Sequence, residues 1–211
     1  MAITLANAVS EVRSLLNEPT AVFWTDSEIQ TWLQEGTRIT ASKTLCVQGS
    51  DTITLVEGQL TYTSSGHSWI GDCLEPYAVI YYDTSSYHGL RLIHPKQLGN
   101  VMTFTAGDPK YYSFHARTFY VWPLPSAGVD GRTLTVLYAA ETDDITDLRD
   151  EYQNLPITWA LSKAKMKDQK FAEAAALQAQ FFSEISFERQ DKVVRPGETE
   201  ENVKTGSSTS R

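Results

Sequence analysis

Long apolar runs, cysteine and positive charge are what this chain has least of, and each shortage excludes a class of protein. No apolar stretch in its 211 residues approaches the roughly 18 needed to span a bilayer, and no basic segment marks the start, Met1-Ala2-Ile3-Thr4-Leu5-Ala6-Asn7. The expectation is a protein made and kept soluble in the cytoplasm, with no membrane partner. Cys46 and Cys73 are the only cysteines. They are too few for a disulfide framework and match no zinc spacing, so free, buried thiols are expected. Eighteen Lys and Arg against 26 Asp and Glu leave a net charge of -8. The chain as a whole therefore lacks the positive field that gives affinity for DNA phosphates.

Chemistry-bearing motifs are also scarce. A nucleophile-elbow GxSxG, a Walker loop and a Rossmann GxGxxG are all absent. The four histidines, His67, His88, His94 and His115, form no helical i, i+4 pair and no HxH arrangement with a carboxylate. The carboxylates Glu141, Asp143, Asp144, Asp147, Asp150 and Glu151 lack the alternating ligands and central glycine of a calcium loop. They read as a solvated linker that favours the helix after it. Tyr111, Tyr112, Phe114, Phe119, Tyr120 and Trp122 could stack bases or sugars, but only Lys110, Arg117 and His115 lie near them, which favours packed sheet faces. No catalytic residue, cofactor site or metal site is expected.

What is present is a change of period. Leu5, Val9, Val12 and Leu16 form one helical stripe that Asn17-Glu18-Pro19 should end. Thr25-Asp26-Ser27-Glu28 is a capping box, and Ile29, Trp32, Leu33, Gly36 and Ile39 carry a second helix to about Cys46. From there the period falls to two: Ile53 and Leu55 alternate with Thr52 and Thr54, Glu57-Gly58 reads as a hairpin turn, and Leu60 and Tyr62 continue beyond it. Tyr77–Tyr82, Leu90–His94, Val101–Thr105, Tyr111–Phe114, Thr118–Trp122 and Leu134–Tyr138 are further strands, with spacing that suggests a small antiparallel sandwich or barrel. Leu155-Pro156 opens a third helical region, Lys165 to Gln169 marks a joint, and Phe171 to Ile185 continues as helix.

The expected fold class is α+β: a helical bundle formed by the N- and C-terminal helices (1–50 and 151–191), an inserted antiparallel β-rich domain (51–140), an acidic linker (141–150) and a flexible C-terminal tail (192–211). The tail has almost no large apolar side chains and cannot repay its ordering entropy alone.

The order of these features resembles the head-to-tail adaptor (connector) proteins of tailed bacteriophages. The block from Leu15-Leu16-Asn17-Glu18-Pro19 through Trp24-Thr25-Asp26-Ser27-Glu28-Ile29 into Trp32-Leu33-Gln34-Glu35-Gly36 carries the resemblance. It continues through Gly107-Asp108-Pro109-Lys110-Tyr111-Tyr112, Phe119-Tyr120-Val121-Trp122-Pro123-Leu124-Pro125, Leu134-Thr135-Val136-Leu137-Tyr138 and the Leu155-Pro156 helix, about residues 1–190 in all.

The resemblance implies a non-enzymatic virion protein of the neck, at the head-tail junction, assembled in the host cytoplasm. It implies a homo-oligomeric ring, commonly of twelve, that docks beneath the portal protein, offers its other end to downstream tail or neck proteins and continues the DNA ejection channel without sequence-specific DNA binding. Val193, Val194, Arg195, Pro196, Lys204 and Arg211 are the candidate portal-binding residues of the tail. Three alternatives stay open: another neck or tail-completion protein; a carbohydrate-binding module using the aromatic sheet around Trp122; and an enzyme whose site gathers scattered residues such as Asp83, His88 and His94.

Overall fold

The computed structural model describes residues 3–94 and 106–192, with side chains through 186. In chain order the first half of the elements is α1 (Leu5–Leu15), α2 (Asp26–Thr44), β1 (Gln48–Thr54), β2 (Thr61–Thr63), α3 (Trp69–Asp72) and β3 (Cys73–Tyr82). The second half is β4 (Tyr87–Gly89), β5 (Arg91–Leu92), β6 (Tyr111–His115), β7 (Thr118–Trp122), β8 (Thr133–Ala140), α4 (Leu155–Lys167) and α5 (Phe171–Lys192). The chain is α+β, and it divides into two compact units, one from Met1–Gly49 with Ala139–Asp191 and one on Ser50–Tyr138.

In the helical unit, α1 starts where the Thr4 hydroxyl accepts from the Asn7 amide at 3.2 Å. Its stripe buries Ala8, Val9 and Val12. Asn17, at φ 54°, turns the chain out of the helix in the left-handed conformation that Asn tolerates. The capping box at α2 forms as its spacing requires: the Thr25 hydroxyl accepts from the Glu28 amide at 3.2 Å, and the Glu28 carboxylate accepts from the Thr25 amide at 2.9 Å. Val9, Val12, Ile29 and Leu33 share one core with Ile145, Leu148, Tyr152, Leu155, Ile157, Phe181 and Ile185, so residues from both ends of the chain close it.

Two details tighten this core. Gly36 lets α2 approach α4 closely, because a Cβ there would lie 2.9 Å from Pro156 Cα and 3.0 Å from Trp159 Cβ. Gln153, buried, accepts from the Ile3 amide at 2.7 Å and donates to the Leu148 carbonyl at 2.9 Å, which satisfies its polar ends inside apolar surroundings. The acidic stretch expected as a solvated linker is ordered: it holds short 3-10 turns at Ile145–Asp147 and Asp150–Tyr152, and its apolar residues Ile145, Leu148 and Tyr152 are buried while the acids face outward.

The second unit holds two four-stranded sheets, ordered β1-β8-β3-β4 and β2-β7-β6-β5. The β2–β7, β3–β4 and β6–β7 pairs are antiparallel, while β5 runs parallel to β6. Here the structure corrects the sequence reading. Ile53 and Leu55 do not form a hairpin with Leu60 and Tyr62, because β1 and β2 belong to different sheets. Gly58, at φ 71°, makes a corner instead, held by its amide on the Pro125 carbonyl at 3.0 Å and by the Glu57 amide on Asp130 at 2.8 Å. The stretch Leu90–His94 is likewise no single strand of one partner: Leu90 donates to Val79 of the first sheet, and Ile93 donates to Tyr112 of the second. Val101–Thr105 lies outside the described residues.

The sheets meet over aromatic rings. Trp69 sits 4.8 Å from Tyr138 of β8 and 6.3 Å from Phe119 of β7, and the Tyr112 hydroxyl reaches the Pro76 carbonyl on β3. Both cysteines are free and buried.

Candidate assembly surfaces

Asp83, Ser86 and His88 are brought together, which at first sight suggests a hydrolase triad. The geometry says otherwise. His88 Nε2 is the atom 2.7 Å from Asp83 Oδ2 and also the atom 2.9 Å from Ser86 Oγ. A triad needs the carboxylate on one ring nitrogen and the nucleophile on the other. Asp83 also accepts from the Ser85 and Ser86 amides at 2.9 and 2.8 Å. Those amides, together with His88, hold its carboxyl well below the usual carboxylate range. The cluster fixes the β3–β4 turn. His94 lies exposed beyond β5.

The acidic stretch uses its carboxylates locally. Asp143 pairs with Arg38 at 3.1 Å, Asp144 accepts from the Thr146 amide at 2.9 Å, and Asp147 accepts from the Thr142 hydroxyl at 2.6 Å. Among the described residues no group of three or more His, Cys, Asp or Glu is placed to hold a metal ion.

Half of the aromatic run of β6 and β7 is core, while Tyr111, Phe114 and Tyr120 are half-buried. Tyr112, Phe119 and Trp122 are buried, with Trp122 only 3% exposed. A ring that solvent cannot reach offers no platform for a sugar, so the carbohydrate-binding alternative loses the residue on which it rested.

Exposed apolar residues occur elsewhere, and two groups of them stand at sites that sequence periodicity did not single out. One is the α1–α2 loop. The Glu18 carboxylate accepts from the amides of Val22, Phe23 and Trp24 and so gathers the loop around itself. Burial pushes the Glu18 carboxyl up, but these amides and the Arg13 charge outweigh it and leave the group below its ordinary value. Arg13 joins α1 to the start of α2 through Asp26 and the Trp24 carbonyl, at 2.7 and 2.9 Å. Lys167 of α4 clasps the same loop: its ammonium donates to Glu28 at 2.8 Å and to the Phe23 carbonyl at 2.9 Å, and lies 4.9 Å from the Phe23 ring centroid. Lys167, then the Thr25 amide and hydroxyl, lower Glu28 to about 2. A loop held this firmly nonetheless presents Val22, 84% exposed, and Phe23 to solvent.

The other site is the end of the β3–β4 hairpin, where the Tyr82 and Tyr87 rings lie 4.8 Å apart and both are exposed. Apolar groups held outward on rigid backbone are suited to contact with another protein. The only sequence signal for the first site was an apolar pair falling outside any helical stripe, between Pro19 and the Thr25 cap. For the second it was two tyrosines flanking a Asp-Thr-Ser-Ser turn.

The tail residues expected to bind a partner, Val193, Val194, Arg195, Pro196, Lys204 and Arg211, lie outside the described residues. No curated protein matches the chain. The family model of the SU10 adaptor protein matches residues 3–199, nearly the whole length and both compact units. The chain belongs to the SU10 adaptor protein family, a family of phage head-to-tail adaptors.

Proposed function

We propose that the protein is a structural subunit of the virion neck that joins copies of itself into a ring, dodecameric in the form its family resemblance implies, beneath the portal. Its role is mechanical: to connect the capsid to downstream tail or neck proteins and to continue the DNA channel. The observation that carries this reading is the family match over residues 3–199. The pinned, outward-facing Val22-Phe23 loop and the paired tyrosines support it, because a subunit that only connects needs rigid contact surfaces and no reactive centre.

The charge balance fits the channel. A net charge of -8 per chain is multiplied in a ring, and carboxylates facing the lumen would repel phosphates and let DNA slide. The tail from residue 192 onward is the segment proposed to fold against the portal, with Val193 and Val194 as apolar anchors and Arg195, Lys204 and Arg211 as charges.

Light scattering of the purified protein alone and with portal protein tests both parts. Stoichiometric rings on the portal are expected. A monomer that ignores the portal would overturn the reading in favour of a more distal neck or tail position. Deleting residues 192–211 should abolish docking; retained docking would dismiss the tail as the portal-binding segment.

A further inference from the structure

The β-rich unit contains an open cleft of about 480 Å³ lined by Tyr81, Asp83, His88, Arg91, Lys110 and Tyr111, with Asp108 among its remaining walls. It opens where β4 gives way to β5, the point at which the chain leaves one sheet for the other: the Arg91 amide donates to the Lys110 carbonyl at 2.9 Å, so the two basic residues stand on neighbouring segments. Both side chains are exposed. Among the described residues neither has a carboxylate within ion-pair distance.

A third cation stands behind the wall. Arg132 donates to the Tyr81 hydroxyl at 2.8 Å and to the Asp83 carbonyl at 3.3 Å. The Asp83 carboxylate, in turn, is occupied by the Ser85 and Ser86 amides and by His88. In a chain where acids outnumber bases 26 to 18, the balance shifts locally: the cleft lining sets Arg91 and Lys110 against Asp108 and an already engaged Asp83, and Arg132 behind the wall adds a third base. Elsewhere on the surface the cations Lys163, Lys165, Lys167 and Lys170 are all paired with carboxylates of their own unit.

We propose that this cleft binds an acidic segment of a partner protein, with Arg91 and Lys110 receiving its carboxylates. Charge complementarity selects that occupant. The overall negative field repels an extended polyanion such as DNA, whereas a short acidic segment needs only the local pair. The inference does not depend on ring formation or on the portal.

The test uses the full chain and a fluorescein-labelled oligoglutamate peptide, read by fluorescence anisotropy, with an oligoglutamine peptide and a single-stranded oligonucleotide as comparators. Binding of the oligoglutamate alone is expected, weakening as salt is raised. The double variant R91Q/K110Q should weaken it at least about tenfold. K43Q/R149Q, which removes the same charge from exposed sites in the helical unit, should leave it within about twofold. In the wild-type protein the peptide should also protect Lys110, and not Lys43, from acetylation by an activated ester, read by mass spectrometry. Equal loss in both double variants, no protection of Lys110, or tighter binding of the oligonucleotide than of the peptide would each overturn the proposal.

Discussion

Glu28 is tied to Lys167 and to the Thr25 cap at once, and its carboxyl falls to about 2, well below the ordinary range of a glutamate. A folded-state pKa below the unfolded one adds stability that is present above the unfolded value and lost as pH falls through the folded one. The helical unit should therefore lose stability between about pH 4.5 and pH 2 in acid titration followed by circular dichroism. Glu28→Gln should be less stable than wild type at neutral pH and should show a flatter acid limb, so an unchanged limb would discount the clasp. The thiols report on the cores. Burial, followed by the Glu75 charge, pushes Cys73 up to about 12, and Cys46 is 7% exposed. Neither should react with Ellman's reagent in the folded protein, and both should react in urea. At this scale the capping box was legible because its two residues stand three apart. The Lys167 clasp was not, because its partner is 139 residues away and nothing local in either segment announces the other.

At the level of elements, the helices follow from periods and caps that each segment carries in itself. The joint placed at Lys165 to Gln169 corresponds to the break between α4 and α5, where Gln169 adopts φ 60°. Gly36 read as one more position on a helical stripe, and only the structure shows that it is where α2 meets α4. Gly36→Ala should destabilise the protein in urea unfolding. Overpacking against backbone atoms costs about 1–3 kcal/mol, set against the roughly 1 kcal/mol that alanine gains over glycine inside a helix. A rise in the unfolding midpoint would show that the helices separate without strain. Sheets were less legible. The alternation at Ile53 and Leu55 announces a strand and its buried face, but it does not say which sheet receives the strand, since the same pattern serves a hairpin and a corner. The choice at Gly58 was made by Asp130 and Pro125, more than sixty residues further along.

For the molecule as a whole, the charge of -8 opposes association of like subunits. If the proposed ring forms, its population should rise between low and moderate salt as screening shortens the repulsion, read by light scattering at fixed protein concentration. A fall with salt would mean that attraction between opposite charges holds the copies together. The candidate surfaces were the least legible part of the chain. Val22, Phe23, Tyr82 and Tyr87 are apolar residues, which sequence reasoning assigns to cores, and their exposure depends on how distant segments close around their neighbours.

The sheet order β1-β8-β3-β4 has a further consequence, for the timing of synthesis. β8 lies between β1 and β3 yet leaves the ribosome after both, so the first sheet has a gap at its middle until residues Thr133–Ala140 emerge. The helical unit waits longer still, because Phe181 and Ile185 complete a core begun at Ala8. Each unit is closed by chain that emerges after the segments it completes, which delays its folding until that chain arrives and leaves unfinished strands open to aggregation in the interval. A subunit built this way reaches its partners only as a finished part.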